Sequence, residues 1–150
     1  MTAITPLAAM HGTLESMAEK FTDALPPQID ANKFISVAKT TLTMNPSLLN
    51  ADKTSLLATF MKAAQDGLLL DGKEAAAVKY GNSIQYLPML EGVLKTLHNS
   101  GLIKTISAEV VYEKDFFDYE LGSKPQITHK PLITGDRGKP VCVYSVAVTT

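Results

Sequence analysis

A single cysteine, Cys142, stands in a chain of 150 residues, so no disulfide can close within it, and a reducing compartment fits best. No apolar run approaches the roughly 20 residues that cross a bilayer. The opening residues lack the positive region of a secretory signal, Lys20 being the first lysine. A basic excess is missing too. Fourteen Lys and Arg against fifteen Asp and Glu leave a net charge of −1, which excludes the whole-chain positive balance of many nucleic-acid binders. A local basic stripe stays open, because placement matters more than the sum. The chain therefore reads as soluble, cytoplasmic and without a membrane partner.

Enzyme signatures are also missing. No GxxxxGK[ST], GxGxxG, HExxH, GxSxG or CxxC occurs, and GDRGKP is too short in spacing for a phosphate loop and ends in Pro. His11, His98 and His129 lie far apart, none with a second His or a Cys four residues on. Catalytic residues, resident metal and cofactor are all expected to be none. The acidic run Glu113, Asp115, Asp118, Glu120 is the one alternative. It could hold Mg²⁺ through oxygen ligands, making a nuclease or nucleotide hydrolase, or it could keep a strand edge soluble. Cys142, within a β-prone run, reads as a small core residue.

The length and a hydrophobic content of 45% describe one globular domain with a real core. The pattern predicts an α+β chain: helices at the N-terminal end, then a β-hairpin, a helix and antiparallel strands. Residues 1–27 read as an arm, either a strap that docks on a neighbouring subunit or a loose tail. Its Leu14, Met17, Ala18 and Phe21 recur at helical spacing before Pro26-Pro27. Residues 28–150 read as the core. Asp30 is a good N-cap for a helix burying Phe34, Val37, Ala38, Thr41 and Leu42 and ending near Asn45-Pro46. A second helix starts near Asn50 or Asp52, buries Leu56, Leu57, Phe60, Met61 and Ala64, and ends at Gly67.

Gly81-Asn82 has the composition of a two-residue hairpin turn. Pairing across it sets Lys79 opposite Ile84 and Ala77 opposite Tyr86 on one face, with Tyr80 and Gln85 on the other. Tyr86 could stack on a base or pack into the core beside Leu90 and Val93. After Pro88, a helix is expected to turn Leu90, Val93, Leu94 and Leu97 inward and Glu91, Lys95, His98 and Asn99 outward. Gly92 costs that helix roughly 1 kcal/mol against Ala, which close packing on the hairpin would offset. KTISAEVVYE reads as a strand with FFDYELG as its hairpin partner. VCVYSVAVTT is β-prone to the last residue, so the chain reads as cut short.

What remains is basic and aromatic. Lys73, Lys79, Lys95 and Lys104 flank the hairpin and its helix, interleaved with Tyr80, Tyr86, Gln85 and Asn99. Single-stranded nucleic acid is held by that mixture, cations tracking phosphates and aromatics stacking bases.

Five segments in order then carry a resemblance: GLxLDGxEA at 67–75, the hairpin, xPMxxGxxKxxxxSG at 87–101, VVYExDxFxYELG at 110–122 and PxITHxP at 125–131. From about Phe34 to Thr150 the sequence resembles the RecT family of phage single-strand annealing proteins. It departs in carrying His98-Asn99 where the family often has a basic residue. The resemblance implies a Red-beta-like annealing core that binds single-stranded DNA, passes through an annealed duplex intermediate, and works as a homo-oligomeric ring or filament without ATP. It also implies a phage exonuclease and a host single-strand-binding protein as partners of a later region, and a place at the bacterial nucleoid. The DNA-binding residues expected on this basis are Lys73, Lys79, Tyr80, Gln85, Tyr86, Lys95, Asn99 and Lys104.

Overall fold

The structure, a computed structural model, describes residues 5–150, so the first four residues of the expected arm lie outside it. The chain is α+β and divides into two compact units, one ending at Asn99 and the other running Ser100–Thr150.

The first unit begins with α1 (Pro6–Ser16) and α2 (Ala18–Ala24). Thr5 caps α1 by accepting from the Ala8 N–H at 3.2 Å, with Pro6 in the first turn, where a missing N–H costs nothing. Leu25, ahead of Pro26, is extended as a pre-proline residue should be, and α2 stops there. The apolar stripe of this segment is buried within its own chain: Leu14 and Phe21 are inaccessible, and the Phe21 ring lies 5.2 Å from that of Phe34.

The expected caps form. Asp30 accepts from the Lys33 N–H at 2.9 Å and opens α3 (Ala31–Met44); a 3₁₀ turn, Pro46–Asn50, follows. Asp52 accepts from the Ser55 N–H at 2.7 Å and opens α4 (Lys53–Asp66). Gly67 closes α4 with φ 65°, and a Cβ there would stand 2.7 Å from the Pro26 ring. Phe34, Ala38, Leu42, Leu56, Phe60 and Ala64 fill the core with Leu68 and Leu70 from the segment after α4.

β1 (Ala75–Tyr80) and β2 (Ser83–Pro88) pair in the expected register, Lys79 with Ile84 and Ala77 with Tyr86. Gly81, at φ 58°, supplies the left-handed residue of the turn. α5 (Leu90–Asn99) follows.

The second unit contains β3 (Ile103–Tyr112), β4 (Phe116–Glu120), β5 (Gln126–Lys130) and β6 (Pro140–Thr149). Here one expectation is corrected. β3 pairs antiparallel with β6, while FFDYE, β4, pairs with β5. The reason lies at Asp115. Its carboxylate accepts from the Tyr112 N–H (3.0 Å), turning the chain off the line of β3, and from the Leu132 N–H (2.9 Å), which returns it after β5.

Candidate nucleic-acid interface

The signature GLLLDGKEA builds the base of the hairpin. Asp71 Oδ1 accepts from the backbone N–H of Lys73 and of Glu74, each at 2.8 Å, so a single carboxylate folds the turn. Glu74 Oε2 then accepts from the Leu69 N–H (2.9 Å) and pairs with Lys95 Nζ (2.8 Å), while that ammonium also donates to the Gly67 carbonyl (3.1 Å). Lys95 thus ties the end of α4 and the turn before β1 to α5.

Lys95 can reach them because of Gly92. A Cβ at that position would lie 2.0 Å from the Glu74 carbonyl oxygen and 2.8 Å from Leu68 Cδ1. The expected close packing of Gly92 is real, and its partner is the turn leading into the hairpin. It also corrects the orientation of the helix. With Gly92 and Lys95 turned to the turn, Leu90 and Val93, expected inward, are 73% and 45% exposed, and Lys95, expected outward, is half-buried. Its charge is engaged by Glu74 and the Gly67 carbonyl.

Tyr86 stands on β2, opposite Ala77 of β1. Its ring is half-buried against the core, and it lines a cleft with Ala58, Thr59 and Lys62 of α4. Its hydroxyl is buried, and no hydrogen bond of normal geometry reaches it among the described residues, though the Asp66 carboxylate is close enough to act on it. Burial, followed by the nearby Asp66 carboxylate, pushes the phenol above its ordinary range. A buried hydroxyl without a well-formed hydrogen bond contributes little, so Tyr86→Phe should change stability by no more than about 1 kcal/mol. Chemical denaturation checks this, and a clear loss of stability would show that the hydroxyl has a partner.

The remaining expected residues lie at the surface. Lys79, Tyr80 (54% exposed) and Gln85 project from the hairpin, and their side chains make no hydrogen bond or ion pair among the described residues. Lys73 is exposed on the turn, and Asn99 is exposed at the end of α5. Lys104 belongs to the second unit, exposed where the β3–β6 register shifts.

In that second unit the acidic run has a different use from the one its spacing suggests. Asp115 has a fully buried carboxylate; besides the two backbone donors it receives Arg137 Nε at 3.0 Å, Arg137 Nη2 at 2.5 Å and His129 Nε2 at 3.1 Å. The Arg137 guanidinium above all, with the Leu132, Tyr112 and His129 donors behind it, holds this carboxyl far below the usual range against the opposing effect of burial. With Nε2–H given to Asp115, His129 Nδ1 is assigned as acceptor for the Tyr144 hydroxyl at 3.1 Å. Phe117 stacks near both His129 and Tyr144, and Arg137 lies 4.2 Å over the Tyr112 ring. Glu113 accepts from the Lys139 N–H, and among the described residues no cluster of His, Cys, Asp or Glu is placed to hold a metal ion. The signatures around 110–122 and 125–131 therefore meet as one interlocked cluster. Arg137, its key cation, carried no sequence signal beyond a turn.

The hairpin, its base and the Asp115 cluster all lie within the stretch of sequence that matches a known family. The RecT family matches residues 32–150, and the chain belongs to that family. It is 31% identical over 143 residues to Protein RecT of Escherichia coli strain K12, covering 88% of this chain and 52% of that protein. The chain thus spans about half the length of this relative.

Proposed function

We propose that the chain binds single-stranded DNA through hairpin β1–β2 and, as a homo-oligomeric ring or filament, anneals complementary strands without ATP during phage homologous recombination in the bacterial cytoplasm. Membership of the RecT family is the wider support. The observation that carries the reading is the contrast between lysines: Lys79 is exposed on the hairpin with no hydrogen bond or ion pair among the described residues, while Lys95 behind it is bound to Glu74 and Gly67.

Annealing needs one strand held extended by its backbone with base edges free. Lysines give sequence-independent affinity through phosphate contacts, and an exposed tyrosine offers a stacking face for any base. Subunits side by side multiply weak contacts through effective concentration. Lys73 on the adjoining turn and Lys104 on β3 are further phosphate ligands in this reading. The rival, a Mg²⁺-dependent nuclease on the acidic run, is disfavoured because the lone pairs of Asp115 are already taken by protein donors.

The test mixes two complementary oligonucleotides with the protein and no nucleotide. Duplex formation should accelerate well beyond the spontaneous rate. An unchanged rate would overturn the proposal, and shortening of labelled DNA in Mg²⁺ would favour the rival.

A further inference from the structure

Helix α4 and strand β2 run side by side, and the sequence gives no hint that they should. The Asp52 N–H donates to the Asn82 carbonyl at 2.7 Å, which seats the hairpin turn at the start of the helix. Ser55 Oγ accepts from the Ile84 N–H at 2.9 Å, and Thr59 Oγ1 donates to the Ile84 carbonyl at 3.3 Å, so helix hydroxyls close the outward edge of the strand there. One turn further along α4 the hydroxyls give out. The next outward backbone position of β2 is Tyr86, and between it and the helix lies an open cleft walled by Ala58, Thr59 and Lys62 on one side and Ile84, Gln85 and Tyr86 on the other.

Lys62 is the one ionised side chain that lines this cleft, and it is exposed with no hydrogen bond or ion pair among the described residues. Gln85 brings an amide that can both donate and accept. Across β2 from the cleft stands Lys79, the cross-strand neighbour of Ile84 on the same face, with Cβ atoms about 5 Å apart in such pairs. Asp66, beside Tyr86, limits the cationic track at the far end. A helix of 14 residues is about 20 Å long. The cleft takes up only the part of that length around Thr59 to Lys62, and its lining offers a phosphodiester chain a cation, an amide and the apolar side chains of Ala58 and Ile84.

We propose that the α4–β2 cleft is a second stretch of the single-strand path, with Lys62 as its phosphate ligand and Gln85 on a sugar or phosphate oxygen. The proposal rests on the DNA-binding reading above and adds a residue and a wall to it. Affinity of the full chain for a labelled oligothymidine would be measured against salt for wild type, Lys62→Ala, Lys62→Glu and Lys33→Glu. Lys33 is exposed on α3 and its substitution changes net charge as Lys62→Glu does. Lys62→Ala should flatten the salt slope by about one, and Lys62→Glu should weaken binding on the order of tenfold at low salt, both with wild-type melting. Lys33→Glu should keep the wild-type slope. A wild-type slope in Lys62→Ala, or equal weakening by Lys33→Glu and Lys62→Glu, overturns the cleft while wild-type binding still supports the hairpin reading. Wild-type protein that fails to bind at all overturns both.

Discussion

Gly92→Ala should destabilise the first unit by about 3 kcal/mol, although alanine is the better helix former by about 1 kcal/mol. The new methyl would meet the Glu74 carbonyl oxygen at 2.0 Å and Leu68 Cδ1 at 2.8 Å. The first of these is backbone, so no side-chain rotation relieves the clash. The carbonyl cannot easily withdraw either, because it accepts the Met89 N–H at 2.9 Å at the start of α5. Relief requires α5 to move off the turn, which breaks the Lys95 bonds to Glu74 and Gly67. Denaturant unfolding measures the loss. A variant as stable as wild type would mean that α5 does not dock as described.

Asp115→Asn should be the most damaging single substitution in the second unit. It removes the charge facing Arg137 and brings an N–H₂ group against donors, leaving a cluster of buried N–H groups with too few acceptors. Loss of amide protection at Tyr112 and Leu132, whose N–H groups bond to this carboxylate, is the direct readout by hydrogen exchange. Its pH dependence follows from the depressed carboxyl. A group whose folded pKa lies below its unfolded value contributes stability above the unfolded value, about 3.9 for an aspartate. That contribution is lost as pH falls below this value towards the folded one. The stability gap between wild type and Asp115→Asn should therefore be widest near neutrality and shrink in acid below pH about 4. A gap constant across that range would contradict the assignment.

Local chemistry was legible in the sequence, and contacts between distant segments were not. Asp30, Asp52 and Gly67 bound their helices where capping rules put them, and Gly81-Asn82 set the hairpin register residue by residue. Each of these is decided within a few positions of chain. The face of α5 was partly right, with Leu94 and Leu97 half-buried and Glu91, His98 and Asn99 exposed, but apolar periodicity weighed Leu90 and Val93 above a glycine and a lysine. The helix is docked by what Gly92 lacks and by an ion pair to Glu74, 21 residues away. FFDYE was assigned to the wrong partner for a similar reason: the strand that pairs with β3 lies beyond β4 and β5, and the turn that diverts the chain depends on Arg137. Lys62 was passed over because it stood on a helix read only for its core face. It gained a neighbour in Gln85 once α4 lay along β2. Asp115 looked like one of four surface acids because nothing in its own segment shows that five donors converge on it.

The assignment of Lys79 to DNA and Lys95 to the fold is tested most directly by single-strand affinity against salt, measured beside melting temperature for wild type, Lys79→Ala and Lys95→Met. Lys79→Ala should melt like wild type and flatten the salt slope by about one, because an exposed phosphate ligand is lost and nothing else. Lys95→Met should melt lower, because the Glu74 carboxylate and the Gly67 carbonyl lose their partner, and should keep the wild-type slope wherever it is folded. The reverse pattern, an unchanged slope in Lys79→Ala with a flattened slope and unchanged melting in Lys95→Met, would contradict the account and move the DNA path to α5.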